Sequence, residues 1–299
     1  MRRRAREARG VMGMTDIEPH TEWTPDDVGE LREARRLLEN PNLAIRLTSA
    51  LGTPIEKGIK LLPQGWSDQV EGAVETSLQK ALEIAVQTLD PAKKPRRARL
   101  FLHKAAVMGS GGVGGVFGLA GIALELPLST TLMLRSIADI ARSEGADLAS
   151  LEVRLDCLQV FAMGGRRPID DASETGYYAL RALLASTLSE AAAFIAQKGL
   201  TRQGAPALVR FISVIASRFS SIVSEKIAAM AVPVIGAAGG AMINMVFINH
   251  FQNMARGHFK IRELERKYGP QAVKRKYLAE GGRRTEGGRR QESGNRKKK

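Results

Sequence analysis

The chain predicts an all-α protein, a multi-helix bundle with two glycine-rich apolar helical segments packed antiparallel. Three observations carry that prediction. No stretch shows the two-residue alternation of a half-buried strand. Helical periodicity recurs along the chain, bracketed by N-capping residues, prolines and glycines at boundary spacing. Two runs, Ala105–Leu124 and Ile227–Phe251, contain no Asp, Glu, Lys or Arg and are interrupted by glycines.

The elements follow in order. Thr24 is an N-cap, Pro25 stands at the first helical position, and Asp26 and Asp27 place acid in the first turn, so a helix runs to about Glu39. Asn40-Pro41 breaks it. A short helix reaches Leu51 and another covers Pro54–Leu62, stopped by Pro63-Gln64-Gly65. Ser67 opens a longer helix to about Leu89, with Val70, Val74, Leu78, Leu82 and Ile84 on its buried side, and Asp90-Pro91 ends it. After the first glycine-rich run, Glu125 and Pro127 lead into an amphipathic helix over Pro127–Ser143. Helices over Ser150–Met163, Ser173–Lys198 and Ala205–Met230 come next. Val232–Gly269 begins apolar, turns amphipathic and ends basic at Tyr268-Gly269-Pro270.

Glycine inside a helix costs about 1 kcal/mol relative to alanine, so the glycines from Gly109 to Gly121 need an offsetting contact. On a helical wheel Gly111, Gly114, Gly115 and Gly118 share a face, and so do Gly236, Gly240 and Asn244. Such small-residue faces let two backbones approach closely. Antiparallel packing of the two would bring both basic flanks to one end. Each run is long enough for a bilayer. Ser110, Asn244, Asn249 and His250 lower their apolarity, so a buried hairpin or shallow insertion is expected in place of two spans.

Charge divides the chain into three parts. The net charge is +14, of which residues 1–10 hold +4 and residues 260–299 hold +10, leaving 25 basic and 25 acidic residues between them. The expected organisation is a disordered basic arm over residues 1–22, one helical domain over 23–278 and a disordered basic tail over 279–299. No apolar stretch of signal-peptide type follows the N-terminal arginines. A start at Met14 in place of Met1 would remove that arm. The polycationic ends attract any polyanion, with nucleic acid bound only non-specifically. Lys93, Lys94, Arg96, Arg97 and Arg99 form a further basic run without an acid and are candidate contacts for an anionic membrane surface. A single cysteine, Cys157, excludes an internal disulfide and thiolate zinc clusters. Its apolar neighbours mark it as a small buried hydrophobe. Aromatic residues make up 5% of the chain, so small and aliphatic side chains are expected to build the core.

Chemistry-bearing motifs are sparse. Gly109–Gly114 fits G-x-G-x-x-G but follows no strand and sits in no βαβ unit. No phosphate-loop, zinc-protease or nucleophile-elbow pattern occurs, and neither a metal site nor a cofactor is expected. Asn244, Asn249, His250, Asn253, Arg256 and His258 form the candidate polar cluster, suited to interhelical hydrogen bonding, acid–base work or an anionic headgroup. No acidic partner or nucleophile is identifiable by spacing, so the catalytic residues stay unassigned. Arg135 and Asp139, four apart, are expected to form an intrahelical ion pair.

One family resemblance emerges. The glycine-rich run Gly111–Gly121, Leu134–Ala138, Gly145-Ala146-Asp147 and Val160–Gly165 carry it in the first half. Pro233, Gly236, Gly239-Gly240, Asn244, Phe247, His250-Phe251, Ala255, Gly257-His258-Phe259, Arg262, Leu264-Glu265 and Tyr268-Gly269 carry it in the second. Over about residues 65–270 the chain resembles the EcsC family, bacterial proteins named for an operon shared with an ABC transporter. The resemblance implies one α-helical fold and no established activity. The combined expectation is a non-enzymatic protein, cytoplasmic and peripheral at the inner face of the cytoplasmic membrane. Its partner would be anionic lipid, a transporter or another membrane protein. The alternative is an enzyme of hydrolytic or other class, using His250 and His258.

Overall fold

The computed structural model describes residues 22–39, 43–52, 54–87, 89, 125–164, 176–200, 205–232 and 236–280. Ten α-helices and no strand occur among them. They are α1 (Pro25–Glu39), α2 (Leu43–Leu51), α3 (Glu56–Ile59), α4 (Trp66–Gln87), α5 (125–143) and α6 (Leu151–Gln159). A single 3₁₀ turn, Val160–Ala162, extends α6. Then come α7 (Gly176–Lys198), α8 (Pro206–Met230), α9 (Gly236–Tyr268) and α10 (270–280). The all-α expectation holds.

Local chemistry sets the boundaries. Thr24 caps α1: its Oγ1 accepts from the Asp27 N–H at 3.1 Å, and its hydroxyl donates back to the Asp27 carboxylate. Ser150 caps α6 by accepting from the Val153 N–H. Gly269, at φ +83°, ends α9 in the left-handed region that a side chain disfavours. Pro270 then starts α10, since proline's fixed φ suits a first turn. The Tyr268-Gly269-Pro270 stop is therefore a corner, and the folded chain continues to Glu280.

Two helices form the spine. α8 lies among α2, α3, α4, α7 and the 3₁₀ turn, while α9 carries α1 and α2 and touches α8. Gly58 of α3 sits so close to α8 that a Cβ there would lie 1.7 Å from the Ala228 carbonyl oxygen. Between α8 and α9 the aromatic side chains concentrate. Phe161 of the 3₁₀ turn, Phe219 of α8, and Phe247 and Phe251 of α9 are fully buried, with adjoining ring centres 5.0–6.4 Å apart. The core is thus not only small and aliphatic: four of the nine phenylalanines converge on one place, where ring-edge contacts add to area burial. Cys157 is fully buried, and burial pushes its thiol pKa far up.

α1 is held to the far end of α9 by polar and ring contacts. Asp27 Oδ2 accepts from Lys267 Nζ at 2.6 Å and from the Tyr268 hydroxyl at 2.5 Å. The Trp23 ring stacks on Tyr268 at 4.2 Å, and Arg32 pairs with Glu280 at 2.7 Å. Burial would raise the Asp27 pKa, but bonds from Lys267, Thr24 and Tyr268 win and bring it down to about 2. Lys260, meanwhile, reaches Glu144 of the α5–α6 connection at 2.8 Å. Part of the basic C-terminal charge is therefore committed to ion pairs inside the fold.

The expected helix end at Met230 holds, so the charge-free run Ile227–Phe251 is divided between two helices: α8 ends at Met230, Ala231 lies in a turn, and α9 begins at Gly236. Among the described residues, the helices long and apolar enough to cross a membrane are α7 and α8. The expected Arg135–Asp139 ion pair needs correction. Asp139, in turn, pairs with Arg142 at 2.8 Å, and Arg135 is exposed. The first glycine-rich run lies outside the described residues, and so do Lys93, Lys94, Arg96, Arg97, Arg99 and both termini.

Candidate functional site

The six residues of the expected polar cluster all lie on α9, but the helix distributes them around its circumference. Asn249, Asn253 and Arg256 share a half-buried face, where the Arg256 guanidinium donates to the Asn253 carbonyl at 3.3 Å. Asn244 is buried on the opposite side. His250 and His258 are both buried, eight residues and therefore about 12 Å of helical rise apart. Each imidazole has its own environment.

His258 anchors a network linking α6, α7 and α9. Its Nε2 lies 2.9 Å from Asp156 Oδ1, and its Nδ1 lies 2.9 Å from the Tyr177 hydroxyl. A carboxylate only accepts, so Nε2 carries a proton and donates to Asp156. In the neutral ring Nδ1 then accepts from Tyr177. Arg262 Nε approaches the other Asp156 oxygen at 3.3 Å, and Arg181 forms a fork on Glu265 at 2.7 and 2.9 Å. Tyr178 and Tyr277 pack beside Tyr177, with Arg181 over the rings of Tyr177 and Tyr178. Burial opposes the Asp156 charge, but His258, Arg262 and Arg181 together hold its pKa below the ordinary 3.8. Burial drives the Tyr177 phenol the other way, far above its ordinary value. The set amounts to an oriented imidazole between a fixed carboxylate and a neutral phenol, the geometry of a proton relay. Every charge in it is also matched, as in a structural keystone.

His250 is different. Its ring is 1% exposed, and neither nitrogen has a hydrogen-bond partner. The Met163 carbonyl lies near enough to favour the charged ring slightly. Burial and then the Arg46 charge outweigh it and bring the pKa to about 4. Gly164, at φ +81°, brings its backbone against the imidazole: a Cβ there would lie 2.5 Å from Cε1, 2.6 Å from Nε2 and 3.1 Å from Met254 Sδ.

A second buried ion pair lies at the start of α5. Lys226 Nζ donates to both Glu125 oxygens at 2.8 and 3.0 Å and sits 4.8 Å from the Phe247 ring centre. Among the described residues no group of three or more His, Cys, Asp or Glu side chains is arranged to hold a metal.

The EcsC protein family model matches residues 27–264, most of the chain. The chain belongs to the EcsC protein family. No curated protein and no solved structure matches it. The EcsC match begins in α1, well before residue 65, consistent with α1 being part of the fold. Several residues of the Gly257–Gly269 ending have identifiable physical tasks. Gly257 lets α1 approach, since a Cβ there would meet Leu38 at 2.7 Å and the Ala34 carbonyl at 2.9 Å. His258 reaches Asp156, Arg262 bridges Asp156 and Glu265, and Tyr268 donates to Asp27.

Sequence spacing missed Asp156, Tyr177, Arg181, Glu265, Arg46, Gly164 and the Glu125–Lys226 pair. One signal was available for some of them. Asp156 and Lys226 stand within otherwise apolar stretches, and a charge there requires a partner from elsewhere.

Proposed function

We propose that this EcsC-family protein is a helical protein that associates peripherally with anionic membrane surfaces. One observation supports this most. Helix α7 has a mean hydropathy of 1.4 over an 18-residue window, yet only 28% of that window is buried. Its outward residues include Ala179, Ala182, Leu183, Ala185 and Ala193, with Leu183 53% exposed. The comparable window of α8 is 56% buried, and Arg218 and Lys226 lie on its buried side, as befits a core helix. Residues 281–299 add eight basic and two acidic side chains, a net +6 that favours anionic lipid headgroups. Surface apolarity then supplements electrostatic attraction.

Vesicle co-sedimentation tests the reading. The protein should bind vesicles rich in phosphatidylglycerol, release at high salt and ignore phosphatidylcholine. Leu183→Glu, on an exposed position, should weaken binding without changing thermal stability. Absence of binding at low salt sinks the proposal.

The Asp156–His258–Tyr177 arrangement favours a second reading, acid–base catalysis with Tyr177 as proton donor and His258 as the base that reloads it. A Tyr177→Phe protein that keeps its fold and loses a hydrolytic activity found by substrate screening would support it. Equal activity in both proteins would reject it.

A further inference from the structure

Helix α3 satisfies the fold with its inner side and carries an outer side that packing does not require. Inward, Ile55 and Gly58 are buried, and Leu62 lies half-buried against the core. Gly58 seats the element directly on the α8 backbone at Ala228, which fixes the way it faces. Outward stand Ile59, 46% exposed, and Leu61, 57% exposed, with Lys57 and Lys60 exposed beside them. Single exposed aliphatic side chains are ordinary on a protein surface. These two are not scattered. Leu128 and Met242 are also exposed, and they stand within about two helical turns of Glu125 and Phe247, the residues that meet Lys226 of α8. Four of the seven exposed large hydrophobic side chains among the described residues therefore surround the end of α8.

The charges on α3 narrow what covers it. Among the described residues neither the Lys57 nor the Lys60 ammonium has a carboxylate partner, unlike Lys80, Lys226 and Lys260. Glu56 is the one acid beside them, exposed at the start of the helix. A second copy packed about a twofold axis on this face would set the same lysines against each other. A lipid surface has the complementary order, anionic at its headgroups and apolar just beneath. Lysine stems lie along such a surface with their ammonium groups at the phosphates, while neighbouring aliphatic side chains enter the headgroup–acyl boundary. Because Gly58 holds α3 against α8 beforehand, little ordering opposes that insertion.

We propose that Ile59 and Leu61 of α3 are the side chains that enter an anionic membrane, with Lys57 and Lys60 on its headgroup phosphates. The inference rests on the membrane reading above and assigns the insertion to an element which that reading does not name.

The test uses the full-length protein carrying Leu61→Cys, labelled with the environment-sensitive fluorophore NBD. Cys157 is fully buried and stays unlabelled. Gly29→Cys, on α1 where a side chain has open space, is the control. Vesicles of phosphatidylglycerol are titrated at low salt. The expected result is a blue shift with brighter emission at position 61 and neither at position 29. In the unlabelled protein, Ile59→Ser with Leu61→Ser should weaken vesicle co-sedimentation at least about tenfold while thermal unfolding is unchanged. Lys57→Gln with Lys60→Gln should weaken it about tenfold and lessen its salt dependence. Vesicle binding with position 61 still in water, or binding that the paired serines leave intact, overturns this contact and spares the membrane reading. No binding at low salt overturns both. A shift that grows with protein concentration in the absence of lipid assigns the face to a second copy and overturns the lipid occupant.

Discussion

Acid should destabilise this protein through His250 before its carboxylates titrate. The imidazole has an ordinary pKa of 6.5 when exposed and about 4 in the fold. A lowered pKa means that the unfolded chain takes up the proton first. Stability is therefore complete above pH 6.5, falls as pH drops through the interval, and levels off below about pH 4. Each unit within that interval removes about 1.4 kcal/mol, so the whole interval removes about 3 kcal/mol. The depressed carboxylates Asp27 and Asp156 act below their ordinary value of 3.8, outside the window. Urea unfolding at a series of pH values, without phosphate, measures the loss. His250→Leu is the control, because subtracting its profile removes the contribution of every other group. Wild type should lose about 3 kcal/mol more than the variant across the window. Parallel profiles would refute the account of His250 as a buried neutral ring.

Three further outcomes follow from the geometry. Gly164→Ala should cost about 2–4 kcal/mol in urea unfolding, combining left-handed backbone strain with displacement of His250. Pairing it with His250→Ala should reduce that increment to about 1–2 kcal/mol, the backbone part alone. Glu125→Gln strands the buried Lys226 ammonium and should cost about 3–5 kcal/mol, whereas Glu125→Leu with Lys226→Met should recover most of it. Asp156→Asn should destabilise the protein more than Tyr177→Phe does. The first leaves Arg262 and the imidazole without their carboxylate, while the second removes one neutral hydrogen bond of about 1 kcal/mol.

Much of the helical order was legible because its signals are local. Thr24 caps the helix it was expected to cap, and Gly145 and Gly199 stand where α5 and α7 end. Proline was ambiguous for a physical reason: it ends one helix and equally suits the first turn of the next. Pro270 therefore read as a terminus while starting α10. The run Ile227–Phe251 did not discriminate, because absence of charge is common to a span and to two core helices meeting at a corner. The networks were illegible for a different reason. His258 meets Asp156 and Tyr177 across separations of 102 and 81 residues, and no helical period reports such a contact. Spacing placed His250 and His258 on the right helix, but it could not show that α6 and α7 would claim one ring and leave the other bare.

That division of α9 bears on where function lies. Asp156, Glu265 and Glu125 each face a cation, and Lys226 in turn has a carboxylate. A buried network satisfied to this degree rigidifies a fold, and making it react would first require breaking some of those bonds. The His258 cluster therefore accounts for how three helices are registered without any ligand. His250 takes no part in that network: the Gly164 backbone abuts its ring, and burial keeps the imidazole neutral, at a cost that the pH dependence of unfolding reads out. The two buried histidines of α9 therefore act differently along one helix, one registering its neighbours through matched polar groups and the other filling space against backbone.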